Sequence, residues 1–189
     1  MPETPEEMYA RVHNLLRMPP VHEWDSFPFD GEMTPRALRP PAKEEIPRRG
    51  AGGVDCPTCA APDDQYLWHN ERWRVHSMEK PTGLPVMLFL EPREHVGEPG
   101  ELSDAMAAEL GVLIARIERA VRGLGEIGRV FVCRWGDGTE HLHWWFIARP
   151  ARMPQLIGSF ATIWDDVLPP VPETRWRADL ERLRRELNG

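Results

Sequence analysis

Two periods of hydrophobic residues run through this chain. A period of two dominates residues 141–148. Leu142, Trp144, Phe146 and Ala148 form an apolar face, and His141, His143, Trp145 and Ile147 form the opposite one. The stretch is rich in aromatic and branched residues and is stopped by Pro150, which predicts a half-buried strand. On such a strand the two histidines point the same way from a rigid element, about 7 Å apart. The uninterrupted apolar run at 86–90 predicts a second strand, and residues 129–135 a third. Residues 66–68 and 73–76, on either side of Asn70-Glu71, read as a hairpin.

A period near 3.6 marks the helices. Ser103 and Asp104 open the main one, Met106, Leu110, Leu113, Ile114, Ile117, Val121 and Leu124 line it, and Gly123 and Gly125 close it. Thr4-Pro5-Glu6-Glu7 is a capping box ahead of Met8, Val12, Leu15 and Leu16, so a short helix should end before Pro19. Leu156, Ile157, Phe160, Ile163, Trp164, Val167 and Leu168 predict another helix, broken by Pro169, Pro170 and Pro172. Thr174 is placed to cap a last helix striped by Trp176, Leu180, Leu183 and Leu187, which packs on the core or docks on a second subunit. Residues 18–54 are rich in Pro and Gly but carry Trp24, Phe27 and Phe29, so they read as an irregular extension anchored to the core or to another subunit. The expected fold class is α+β: an antiparallel sheet, one main helix packed on it, and helical additions at both ends. Three stretches follow: an N-terminal helix and Pro-rich extension at 1–54, a core at 55–150, and a C-terminal helical extension at 151–189.

Composition narrows the class. A chain of 189 residues is long enough for one substantial core. Its 41% hydrophobic and 28% charged residues suit a soluble domain, and a net charge of −7 argues against a general nucleic-acid binder. No apolar run reaches transmembrane length and the first residues are not a signal peptide, so no membrane partner is expected. Three cysteines, two of them a close pair, do not make a disulfide framework; metal-binding or redox cysteines in a reducing cytoplasm fit better.

The candidate chemistry lies in three places. Cys56-Pro57-Thr58-Cys59 has the spacing of a tetrahedral zinc knuckle, and Pro57 and Pro62 bracket a short turn rather than the helix of a thioredoxin-type motif. The pair is half a site, and Cys133 reads as a packing residue rather than a third thiolate. His143 offers an imidazole, which can attack phosphorus or can simply be a structural residue bonded to a backbone carbonyl. Gly136-Asp137-Gly138-Thr139 is a glycine turn of the kind that brings N–H groups to a phosphate, and Arg149 and Arg152 could supply phosphate charge.

The order of strand, Pro92-Arg93-Glu94-His95, amphipathic helix, strand, glycine turn and His141-Leu142-His143-Trp144-Trp145-Phe146-Ile147 resembles the histidine triad superfamily, over about residues 55–150. The resemblance implies that His143 is the nucleophile that takes up a nucleotidyl group. It also implies a structural zinc held by Cys56, Cys59, His95 and His141, as in the branch that includes galactose-1-phosphate uridylyltransferases. Glu79 falls where an acidic residue holds the ribose hydroxyls, and Asp137, Gly138 and Thr139 where the phosphate is contacted. Trp145 stands at the third motif position, which is histidine in the family and glutamine in the uridylyltransferases. Tryptophan has one N–H donor and no acceptor, so stacking or pocket filling is its expected role. The resemblance further implies a homodimer and a nucleotide or nucleoside-phosphate conjugate as substrate, hydrolysed or transferred through a nucleotidyl-histidine. Two other classes remain open from the residues: a zinc-stabilised nucleotide-binding protein without catalysis, and an enzyme whose zinc binds water directly in place of one ligand.

Overall fold

The computed structural model describes residues 2–189. Helix α1 (Pro5–Val12) leads into an irregular Pro-rich segment and a single helical turn, α2 (Pro57–Ala60). Strands β1 (Trp68–His69), β2 (Trp73–Ser77) and β3 (Met87–Pro92) follow, then the long helix α3 (Asp104–Arg122). Strands β4 (Ile127–Cys133) and β5 (Trp144–Pro150) complete one five-stranded antiparallel sheet of order β1-β2-β3-β5-β4. Helices α4 (Phe160–Val167) and α5 (Glu173–Asn188) end the chain. The fold is α+β, as the two periods predict. Among the described residues no helix is long and apolar enough to cross a membrane.

Each face of the sheet has its own cluster. Trp73, Val75, Leu88, Leu90, Leu142, Trp144, Phe146 and Ala148 meet Leu113, Ile117 and Val121 of α3 in the main core. Helix α5 belongs to that core: Leu183 and Leu187 are fully buried in it, and Arg116 of α3 donates to the Leu187 carbonyl at 2.6 Å. Core packing therefore accounts for the apolar stripe of α5. The opposite face carries Leu84, Met87, Ile147, Leu156 and Ala161, with Phe131, Cys133 and Trp164 packed beside them. Cys133 is thus a packing residue. Gly83 permits this layer to close, because a Cβ there would meet the Leu168 Cβ at 2.6 Å.

The aromatic anchors of the Pro-rich extension dock on α4. Trp24 and Phe27 lie 5.9 and 5.6 Å from the Phe160 ring, and Trp164 donates from Nε1 to the Ser26 carbonyl at 2.8 Å. Several boundaries differ from the sequence expectation. Helix α1 has its capping box at Thr4, yet it stops at Val12 and buries no residue, so Met8, Leu15 and Leu16 remain exposed. Helix α4 starts at Phe160 rather than near Leu156, because the chain turns through Gly158 at φ +52. Helix α5 is preceded by Pro172 and has no side-chain cap; Thr174 lies inside it.

The most consequential difference concerns the histidines. Strand β5 begins at Trp144, so His141 and His143 precede it rather than lie within it. The register pairs Leu90 with Trp144, which would set Pro92 opposite Leu142. Proline has no N–H to continue the ladder. The Leu142 N–H instead donates to the Val96 carbonyl at 2.8 Å, and the segment bends at His141 without being paired to β3. Strand β4 likewise ends at Cys133, opposite Trp145, because its partner diverges there, and it begins two residues earlier than predicted, at Ile127.

Candidate metal centre and adjoining cleft

Cys56 caps the single turn of α2 and Cys59 lies within it, which brings both thiols towards two histidines from the ends of the sheet. The ligand atoms of Cys56, Cys59, His95 and His141 all lie within 4.8 Å of one another. Cys56 Sγ and Cys59 Sγ are each 3.5 Å from His141 Nδ1, and Cys59 Sγ is 3.4 Å from His95 Nδ1. A tetrahedron built with zinc–sulfur and zinc–nitrogen bonds of ordinary length has S···N edges of about 3.6 Å. The three S···N distances match such edges, and the four donors, all within 4.8 Å of one another, are of the type and number that a tetrahedral ion takes. Ring orientation supports the fit. His141 donates from Nε2 to the Pro92 carbonyl at 2.8 Å, which leaves its Nδ1 lone pair facing the thiols. His95 turns Nδ1 inwards too; its buried Nε2 has no hydrogen-bond partner, and the nearest carboxylate oxygen, Glu140 Oε1, is 3.7 Å away.

The ionisation of these groups follows their surroundings. Burial, and then the neighbouring Cys56, push the Cys59 thiol up to about 11. Burial lowers the pKa of His141 and so keeps its imidazole neutral, despite the Pro92 carbonyl acting the other way. A cation among them would favour the thiolate, the ligating form. The Glu140 carboxyl is held below its usual range, first by the Gly52 N–H donating to Oε1 at 2.7 Å.

His143 follows two residues after His141. Its Nδ1 lies 2.9 Å from the His141 carbonyl oxygen, so Nδ1 carries the proton and donates, and Nε2 is left with a free lone pair. The half-buried ring stands 6.1 Å from both Phe89 and Trp145, on the sheet face opposite the main core.

Beside Phe89 opens a cleft of about 730 Å³ between the metal knuckle and the segment after β2, lined by Pro57, Thr58, Tyr66, His76, Glu79 and Glu91 among others. Its floor holds a network that sequence reasoning missed. Tyr66 donates to Glu91 Oε1 at 2.7 Å, and His76 Nε2 lies 3.3 Å from Glu91 Oε2 while its ring stacks on Phe89 at 4.7 Å. Burial raises the Glu91 carboxyl, but the bonds from His76 and Tyr66 and the charge of His76 outweigh it and hold the group below its usual range. Arg74, also buried, donates to the carbonyls of Ala61 and Thr58 at 3.0 and 3.2 Å, and ties the knuckle to this floor. One signal was present in the sequence: Glu91 closes a strand of apolar residues with the parity of Phe89.

The remaining predicted residues divide. Glu79 lines the cleft. Trp145 packs against Phe89 at 4.4 Å, next to His143. Asp137, Gly138 and Thr139 form a turn fastened to the N-terminal segment: Arg49 donates its N–H to the Gly138 carbonyl at 3.2 Å, the Thr139 hydroxyl donates to the Arg49 carbonyl at 3.2 Å, and Arg48 donates to the Gly136 carbonyl at 3.1 Å. Arg149 is not brought to the site. It lies about 20 Å along the strand from His143, and its guanidinium donates to the Met153 carbonyl at 3.0 Å.

Among solved structures, this fold is similar to those of histidine triad proteins. One from Bradyrhizobium japonicum is 23% identical, with 65% of this chain and 89% of that chain covered and a TM-score of 0.52. One from Marinobacter aquaeolei VT8 is 21% identical, with 65% and 88% covered and a TM-score of 0.52. A zinc-bound histidine triad family protein from Mycobacterium smegmatis is 19% identical, with 71% and 96% covered and a TM-score of 0.50. No family model matches the chain, and no curated protein matches it. The likeness establishes the fold class, that of the histidine triad proteins.

Proposed function

We propose that this protein is a nucleotide phosphohydrolase or nucleotidyltransferase that works through a covalent nucleotidyl-His143, with a structural zinc at Cys56, Cys59, His95 and His141. The observation that carries this reading is the hydrogen bond from His143 Nδ1 to the His141 carbonyl, which leaves the Nε2 lone pair free on a ring 6.1 Å from Phe89, a residue of the cleft. The nucleoside occupies the cleft, with Glu79 towards the sugar hydroxyls and His76, Phe89 and Tyr66 as its floor. Nε2 attacks the α-phosphorus, the bond from phosphorus to the leaving group breaks, and the electron pair departs with that group. Water or a second nucleophile then attacks the same phosphorus, and the pair of the P–N bond returns to Nε2. Amide groups of the 137–139 turn are the proposed cradle for the developing charge, since the Gly138 carbonyl and the Thr139 hydroxyl are already engaged by the Arg49 backbone. Zinc, when bound, fixes the knuckle that forms one wall of the cleft and takes no part in the chemistry, because all four positions are filled by the chain.

The test is intact-protein mass after brief exposure to adenylated, guanylated and uridylated compounds, with His143→Ala alongside. A nucleotide-sized adduct on the wild type alone supports the reading and names the base. One observation favours a second reading, a nucleotide-binding protein without turnover: the Trp145 Nε1 is buried and has no hydrogen-bond partner, so it contributes nothing to a phosphate. Thermal stabilisation by nucleotides with no adduct and no consumption would select it.

A further inference from the structure

The two histidines of the metal centre are held unequally. His141 is fixed by its Nε2, which donates to the Pro92 carbonyl. His95 has no such bond, since its Nε2 is buried and has no hydrogen-bond partner. An imidazole that ligates through Nδ1 carries its proton on Nε2, and a ligating histidine almost always donates that proton to an oxygen, which fixes the ring. Glu140 Oε1 faces His95 Nε2 at 3.7 Å, about 0.5 Å beyond hydrogen-bond range.

Glu140 is itself held in place. Its N–H donates to the Arg49 carbonyl at 3.0 Å, and its Oε1 accepts the Gly52 N–H at 2.7 Å. A carboxylate oxygen accepts two bonds, so Oε1 keeps a lone pair for a second donor. Oε2 lies 3.8 Å from Arg48 Nη2. The stem of the side chain runs against Gly97, where a Cβ would meet the Glu140 Cγ at 3.0 Å, so the carboxylate has little room to swing away. The backbone that binds Glu140 also borders two of the ligands. A Cβ at Gly50 would stand 3.4 Å from Cys56 Sγ, and one at Gly53 3.6 Å from the His95 ring. Residues 50–53 thus pass Cys56, Glu140 and His95 in turn.

We propose that Glu140 is a positioning residue of the metal centre: its Oε1 accepts the Nε2–H of His95 when the ion is bound, and so ties the 50–53 backbone to the ligand set. The proposal rests on the zinc part of the functional reading and not on nucleotidyl transfer. Glu140 acts through His95, by fixing the plane in which that ring presents Nδ1 to the two thiols.

The test is the zinc affinity of the full chain, measured by competition with a chromophoric chelator. Glu140→Ala should weaken binding by about 10- to 100-fold, the usual effect of removing the partner of a ligating histidine. Glu140→Gln, whose side-chain oxygen can accept the same two bonds, should recover most of that loss. Glu98→Ala removes the carboxylate that Arg48 and Arg134 share, at 2.8 and 2.7 Å, and leaves Glu140 in place; its affinity should match the wild type. In the zinc-loaded wild type the His95 Nε2 proton should give a slowly exchanging NMR signal that disappears in Glu140→Ala. Equal affinities of wild type and Glu140→Ala overturn the proposal, and so does a persistent Nε2 proton signal in that variant. Equal losses in Glu140→Ala and Glu140→Gln overturn the acceptor role. Equal losses in Glu140→Ala and Glu98→Ala overturn it too, because Glu140 would then only fasten the 48–53 segment. A wild type that takes up no zinc ends the metal reading itself, whereas stoichiometric zinc with equal affinities ends this proposal alone.

Discussion

The carbonyl of His141 accepts the Nδ1 proton of His143 at 2.9 Å, while the His141 ring turns Nδ1 to the two thiols. One residue thus contributes a metal ligand through its side chain and orients the candidate nucleophile through its backbone. His143→Ala should lower turnover by at least about a thousandfold, as expected when a nucleophile is removed. Zinc content and melting temperature should hardly change, since the half-buried ring makes one hydrogen bond. Metal analysis and calorimetry of the variant check both halves; parallel loss of zinc would make His143 a ligand.

Cys56→Ser should remove bound zinc and lower the melting temperature by many degrees, because the knuckle has no apolar core of its own and the ion closes it. Cys133→Ser should keep full zinc occupancy, since Cys133 packs with Phe131 and Ile147 on the sheet face. Elemental analysis of the two purified variants is the measurement. Equal zinc loss in both would contradict the ligand set.

Glu91 is 3% exposed and accepts bonds from Tyr66 and His76. Its carboxyl is held below its unfolded value, burial being outweighed by those partners. A depressed folded pKa contributes stability that is present above the unfolded value, near 4.5, and is lost as pH falls through the folded one. Acid titration of the wild type should therefore show a stability loss below about pH 4.5 that Glu91→Gln lacks. Glu91→Ala should destabilise by about 3 kcal/mol at neutral pH, as it leaves buried partners unpaired. Urea unfolding across pH 3 to 7 reads both.

Trp145 has no titratable proton to give a departing group. Turnover should therefore fall steeply as the leaving group becomes more basic, and Trp145→His should recover about 10²-fold on the poorest leaving groups. A series of aryl esters compared between wild type and variant gives the slope, and equal slopes would remove Trp145 from this part of the reaction.

Leu183 is fully buried in the main core, 60 residues and more from most of its neighbours in sequence. Leu183→Ala should cost about 2–5 kcal/mol. Chemical denaturation should show one transition, because α5 and the sheet share that core.

Much of this was legible in the chain. The apolar run of β3, the Ser103 cap and the stripe of α3 each follow from local residue order, because strand and helix periods are properties of neighbouring residues. The cysteine pair of the metal centre was legible for the same reason, its spacing being set within one turn. The partners of that pair were not legible from spacing, and only the resemblance to the histidine triad superfamily pointed to them. His95 and His141 are 36 and 82 residues from Cys59, and only the antiparallel return of the chain puts their Nδ1 atoms within 3.5 Å of its sulfur. The ladder break at Pro92, which frees His141 and His143 from the strand, depends on a register between two strands more than fifty residues apart in sequence. The Tyr66–Glu91–His76 floor arises in the same way, from side chains distant in sequence that the sheet brings together. Periodicity along the chain determined which residues face inwards; strand register, which pairs residues far apart in sequence, decided which of them meet.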